Sequence, residues 1–159
     1  MPRLFDALTS FLDADEWSYT RIEGHTALRL GFAGDNGRWV CFARTKESER
    51  QLLFYSVCAA HAPEEKRHAI AEFLTRANYG LAIGNFELDF DDGEIRFKTS
   101  LVMGDEAIDL EHVRRLIFVN VYTMDQYLPG IMAVLFSGED PELAVARVEA
   151  PPIDPTLVS

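Results

Sequence analysis

Positive charge is scarce in this chain. Fifteen Lys and Arg stand against 26 Asp and Glu, a formal net charge of -11 at pH 7 with a sequence pI of about 4.7. A surface of that sign repels phosphate backbones and anionic lipid at long range, so neither nucleic acid nor a membrane surface is expected as a partner. Cysteine is nearly absent. Cys41 and Cys58 both lie in apolar, strand-like stretches and read as buried, reduced thiols of a cytoplasmic protein. Long apolar runs are missing too. LIFVNVYTM and IMAVLF fall far short of the roughly 20 residues that cross a bilayer. The opening residues, MPRLFDALTSFLDADEW, lack the apolar core and small-residue cleavage site of a signal peptide.

The signatures of catalysis and ligand binding are equally thin. Ser10, Ser18, Ser48, Ser56, Ser100 and Ser137 sit in no nucleophile elbow. Cys58-x-x-His61 with His68 lacks a fourth zinc ligand at suitable spacing, and His25 and His112 stand alone. The acidic stretch 87–94 fails as an EF-hand loop. With Gly93 at position six, Leu88 and Phe90 occupy ligand slots and Thr99 stands where the bidentate Glu belongs. GLAIGN has neither the Gly-Lys-Ser/Thr ending of a P-loop nor the dinucleotide fingerprint. No catalytic residue, cofactor or metal is expected.

What is present is a regular pattern of core-forming segments. The chain has 159 residues, 48% of them hydrophobic, enough for one compact domain with a real core. Leu4, Phe5, Leu8, Phe11 and Leu12 recur at helical spacing. Leu28, Leu30 and Phe32 alternate, as do Trp39, Cys41 and Ala43 after an Asp35-Asn36-Gly37 turn that tolerates positive φ. A third strand runs from Leu52 to Ala60, completing a three-stranded meander. Pro63 opens a helix with a stripe of Ile70, Phe73, Leu74 and Ala77, and Asn78-Tyr79-Gly80 reads as its left-handed cap.

A hairpin follows, with Asp92-Gly93 as a two-residue turn. That register sets Phe90 opposite Ile95, Asp89 opposite Arg96, Leu88 opposite Phe97 and Glu87 opposite Lys98. Asp109 can cap a helix over about 110–136, with a kink or break predicted at Pro129-Gly130. Asp140-Pro141 starts a last short helix. The proline-rich 150–159 is expected to be a flexible tail after a single domain, 1–149.

The long helix is apolar around most of its circumference. Its narrow polar stripe holds Glu111, Arg115, Asp125 and Gln126, and in that stripe stand Phe118 and Tyr122, four residues apart. Two rings beside charges suit either shelter under the chain's own tail or last helix, or a protein interface with a polar rim.

Three separated elements resemble the YbjN family of bacterial proteins. They are Asn78…Gly80…Gly84-Asn85-Phe86, the Asp92-Gly93 hairpin returning through Arg96-x-Lys98, and Asp125-x-Tyr127-x-Pro129-Gly130. They span the second half of the chain; the first half agrees in its order of elements. The resemblance implies an α+β fold like the type III secretion chaperones, α-β-β-β-α-β-β-α with a curved antiparallel sheet, here with an extra short C-terminal helix. It also implies a sensory-transduction regulator or chaperone-like module, homodimeric, binding a protein client, with no catalytic residues to carry over. Phe118 and Tyr122 are the interface candidates. The alternative is a small-ligand sensor or an enzyme using a pocket that no motif announces.

Overall fold

The computed structural model describes residues 3–151 and 156. Its elements are α1 (Leu4–Ala14), β1 (Tyr19–Arg21), β2 (Ala27–Ala33), β3 (Arg38–Lys46), β4 (Gln51–Val57), α2 (Arg67–Gly80), β5 (Asn85–Leu88), β6 (Ile95–Val102), α3 (Leu110–Phe136) and α4 (Pro141–Glu149). A single 3-10 turn, Glu64–Lys66, precedes α2. The strands form one antiparallel sheet in the order β1-β2-β3-β4-β6-β5. The expected mixed fold is present, with β1 as an addition. Its three residues carry no readable alternation. Pairing of Tyr19 with Leu30 and Thr20 with Arg29 is what makes them a strand.

Alternation sorts the sheet into two faces. Leu28, Leu30, Trp39, Cys41, Ala43, Phe54, Ile95 and Phe97 are buried on one face. There α1, α2 and α3 pack, and α4 seals α2 against α3. Each fully buried large side chain contributes roughly 1.5–3 kcal/mol. At the centre of this layer Asn120 is fully buried. Its Nδ2 donates to the carbonyls of Phe54 and Phe97 at 2.9 and 3.1 Å, and its Oδ1 accepts from Ser56 Oγ at 2.6 Å. Ser56 Oγ in turn accepts from Trp39 Nε1 at 2.9 Å, and Thr99 Oγ1 donates to the Leu116 carbonyl. This network pins α3 to one position over β4 and β6.

Four local expectations are corrected, each by a contact with another element. The turn between β2 and β3 lies where expected, yet neither Asn36 nor Gly37 has positive φ. Its glycines are required by close approach to α3: a Cβ on Gly34 would lie 2.4 Å from Asp125 Oδ1, and one on Gly37 2.7 Å from Leu128 Cδ2. Asn78-Tyr79-Gly80 is no left-handed cap either, since α2 runs through Gly80 into extended Leu81. Asn78 instead pairs with the β5 backbone. Its Oδ1 accepts from Phe86 N–H at 2.7 Å and its Nδ2 donates to Phe86 O at 3.1 Å.

The β5–β6 register is displaced by two residues from the predicted one, with Phe86 facing Phe97 and Glu87 facing Arg96. A shift of two keeps every paired side chain on its face. The turn widens because Gly93, at φ +80°, packs its backbone on Ala62. Ala62 N–H donates to Gly93 O at 2.8 Å, and Gly93 N–H closes the loop on Asp89 O at 2.7 Å. Glu87 then serves both cations, Arg96 at 2.8 Å and Lys98 at 3.1 Å. Phe90 leaves the core face and is 51% exposed.

Finally, of the kink or break expected at Pro129-Gly130 the break is absent, and α3 runs continuously through it. The carbonyl of Asp125, four residues earlier, has no N–H from Pro129 to accept. It accepts from Asn36 Nδ2 at 2.9 Å. Of the predicted tail at 150–159, residues 152–155 and 157–159 lie outside the described residues.

Candidate protein interface

Phe118 and Tyr122 lie side by side as their spacing predicts, ring centroids 5.4 Å apart. They end a series of five rings that climbs from core to surface. Trp39 is buried and Phe32 lies 5.2 Å from it. Trp17 stacks on Phe32 at 5.9 Å and meets Phe118 edge-on at the same distance. Tyr122 is 59% exposed. Trp17 is placed by the turn that ends α1, where Glu16 adopts φ +62° and Trp17 N–H donates to Leu12 O. Its Nε1 is tethered to Asp15 at 2.7 Å. The Arg114 guanidinium lies 5.1 Å over the Phe118 ring.

The ring beside half-buried Phe118 is thus Trp17, which the sequence pattern did not connect to it. The last helix shelters a different stretch of α3. Gln126 Nε2 donates to Val148 O at 3.2 Å, and Tyr127 O–H donates to Glu149. Burial first, then the Glu149 carboxylate, pushes the Tyr127 phenol well above its ordinary range, so it stays a donor.

No helix covers the second face of the sheet among the described residues. Its centre is Val40 and Phe42 on β3 and Leu53, Tyr55 and Val57 on β4, each half-buried. The registers align these residues in rows across the strands. One row reads Arg29–Phe42–Tyr55–Lys98, another Gly31–Val40–Val57–Arg96–Glu87, and a third Ala27–Arg44–Leu53–Ser100. The Arg96 guanidinium lies 4.4 Å over the Tyr55 ring. A depression of about 290 Å³ runs among Phe42, Arg44, Tyr55, Val57, Glu94 and Arg96.

The other candidate groups are held by structure. Burial pushes the Cys41 thiol up to about 11 and raises Cys58 as well, so both stay protonated at neutral pH. His61 Nδ1 sits 3.2 Å from the Asp92 carbonyl, and His68 lies against Phe90. Among the described residues, no helix is long and apolar enough to cross a membrane.

The three elements that carry the family resemblance therefore share one property: each ties separate elements of the fold together. Asn78 joins α2 to β5, Gly93 joins the hairpin to Ala62, and Asp125 joins α3 to the β2–β3 turn. The Asp125 carboxylate accepts the N–H groups of Asn36 at 2.8 Å and Asp35 at 3.1 Å.

An antiparallel sheet with helices on one face and the other open defines an α+β protein. The YbjN family model, described as "Putative bacterial sensory transduction regulator", matches residues 5–132, and this chain belongs to that family. The crystal structure of YbjN from E. coli superposes with a TM-score of 0.58 at 14% identity, covering 84% of this chain and 90% of that one. The HopA1–SchA chaperone–effector complex contains a chain similar at a TM-score of 0.51 and 17% identity, over 76% of this chain and 91% of that one. At these identities the likeness concerns the fold. A comparison with curated proteins finds no match.

Proposed function

We propose that this chain is a non-enzymatic, cytoplasmic protein-binding module of chaperone-like or regulatory role. In this reading it acts as a homodimer, with Phe118 and Tyr122 in the contact between copies, and the open sheet face receives a segment of a client protein. The observation that carries the reading is the apolar centre of that face, where Val40, Phe42, Leu53, Tyr55 and Val57 stay partly exposed. A contiguous apolar patch rimmed by charged side chains marks an interaction site. Extended and helical segments are the usual occupants of such surfaces.

The test is an array of immobilised peptides probed with wild type and with Phe42→Asp. Wild type is expected to bind a subset that the variant loses, with unchanged far-UV circular dichroism. Absence of any peptide signal that depends on Phe42 refutes the reading. The competing view, a small-ligand sensor, draws on the depression beside Tyr55. A thermal-shift screen in which one metabolite gives saturable stabilisation would favour it.

A further inference from the structure

Charge on the open face is the reverse of charge elsewhere. The strand positions that point to that face include Arg29, Arg38, Arg44, Lys46, Arg96 and Lys98, against the carboxylates of Glu87 and of Glu94, which precedes β6 and lines the depression beside Tyr55. The rest of the chain then holds nine basic residues among 24 acids. Arg96 and Lys98 share Glu87, whereas Arg29, Arg38 and Arg44 make no ion pair among the described residues.

Exposed strands do need charges to stay soluble. This chain meets that need with acids nearly everywhere else, so solubility alone does not explain the choice of sign here. Opposite sign on an interface selects partners and speeds their encounter.

We propose that the open face receives an acidic segment of a partner protein, one that carries apolar side chains between its carboxylates. This rests on the protein-binding reading above and names the chemistry of the client. The row Arg29–Phe42–Tyr55–Lys98 sets the pattern: cation, ring, ring, cation. Three steps between strands separate its ends, about 14 Å at roughly 4.8 Å per step. Four or five extended residues cover that distance, at roughly 3.3 Å each. Their apolar side chains lie on Phe42 and Tyr55 while carboxylates reach Arg29 or Arg44 on one flank and Lys98 on the other.

A nucleic acid fits less well. Its phosphates would meet the surplus of carboxylates on the remaining surface, and Val40, Leu53 and Val57 offer it nothing to pair with.

The probe is a labelled twelve-residue peptide alternating Glu with Leu or Phe, measured by fluorescence anisotropy beside analogues with Gln or Lys in place of Glu, and beside a labelled oligo-dT. The Glu peptide is expected to bind at least tenfold more tightly than the Gln peptide, and the Lys peptide not at all. Raising salt from 50 to 500 mM should weaken the Glu peptide at least tenfold. So should Arg29→Glu/Arg44→Glu, whose sites are exposed and unpaired, so that its melting temperature stays at the wild-type value.

Equal binding of Glu and Gln peptides, abolished by Phe42→Asp, overturns the proposal and leaves the protein-binding reading standing. Failure of all three peptides overturns both. Preference for oligo-dT overturns the acidic client. So does self-association that Arg29→Glu/Arg44→Glu abolishes, because the occupant is then a second copy, offering its own acidic hairpin tip around Phe90.

Discussion

Pro129 sits 19 residues into a 27-residue helix, a position where proline ordinarily costs about 3 kcal/mol through a lost hydrogen bond and a ring clash. Here the carbonyl that proline abandons is occupied. Asn36 Nδ2 donates to Asp125 O at 2.9 Å. Asn36→Ala removes that donor while the backbone N–H groups of Asp35 and Asn36 keep their bonds to the Asp125 carboxylate. In the wild-type background the loss should cost about 1 kcal/mol, the net value of one hydrogen bond.

Pro129→Ala reverses the situation. The substituted residue regains a backbone N–H aimed at the same carbonyl, so the Asn36 amide becomes largely redundant. Asn36→Ala in that background should cost less, leaving a coupling energy of about 0.5–1 kcal/mol that makes the double variant more stable than the two single effects predict. Urea denaturation of the four proteins, compared at equal slope, measures the coupling. Additivity within about 0.3 kcal/mol, or coupling of the opposite sign, refutes the idea that Asn36 stands in for the missing proline N–H.

Two further outcomes follow from the contacts described above. Glu47 caps α1 from another element, accepting Leu4 N–H at 3.0 Å and Phe5 N–H at 2.9 Å. Burial opposes its ionisation, but those two donors and Thr45 outweigh burial and hold its pKa below the usual glutamate value of 4.5. A depressed folded value means its contribution is complete above that usual value and lost as pH falls through the folded one. Glu47→Gln should therefore cost about 1 kcal/mol at pH 7, typical of a lost cap, and nearly nothing at pH 2; a pH-independent difference contradicts the cap. At the proposed contact between copies, Tyr122→Asp is the clean probe, since Phe118 also packs on Trp17 and its loss would disturb the fold. By sedimentation equilibrium, wild type should run as a dimer and folded Tyr122→Asp as a monomer. A folded variant with wild-type mass removes Tyr122 from that contact.

Much of the architecture was legible because helices and strands announce themselves through neighbours two to four residues away. The stripe of α2, the Asp140-Pro141 start of α4 and the adjacency of Phe118 and Tyr122 all have this local origin. The errors share the opposite origin. The hairpin register was set by Ala62 against Gly93, outside the hairpin. The Asn-Gly turn owed its glycines to the approach of α3 rather than to φ. Asn78 looked like a cap and served as a pairing partner for β5. The cations of the open face were readable one strand at a time, as Arg29, Arg38 and Arg44 at even spacing from apolar neighbours. Nothing local said that they would face Arg96 and Lys98 across an apolar spine.

By itself, then, the order of residues determined the elements other than β1, their buried sides and the family, because those depend on periodicity and short-range backbone preference. The tertiary structure alone decided which strand meets which, at what offset, and which face of the sheet stays open. Side chains on separate strands become neighbours only when the chain closes on itself, and a shift of two residues in one pairing changes every cross-strand contact without altering a single local pattern.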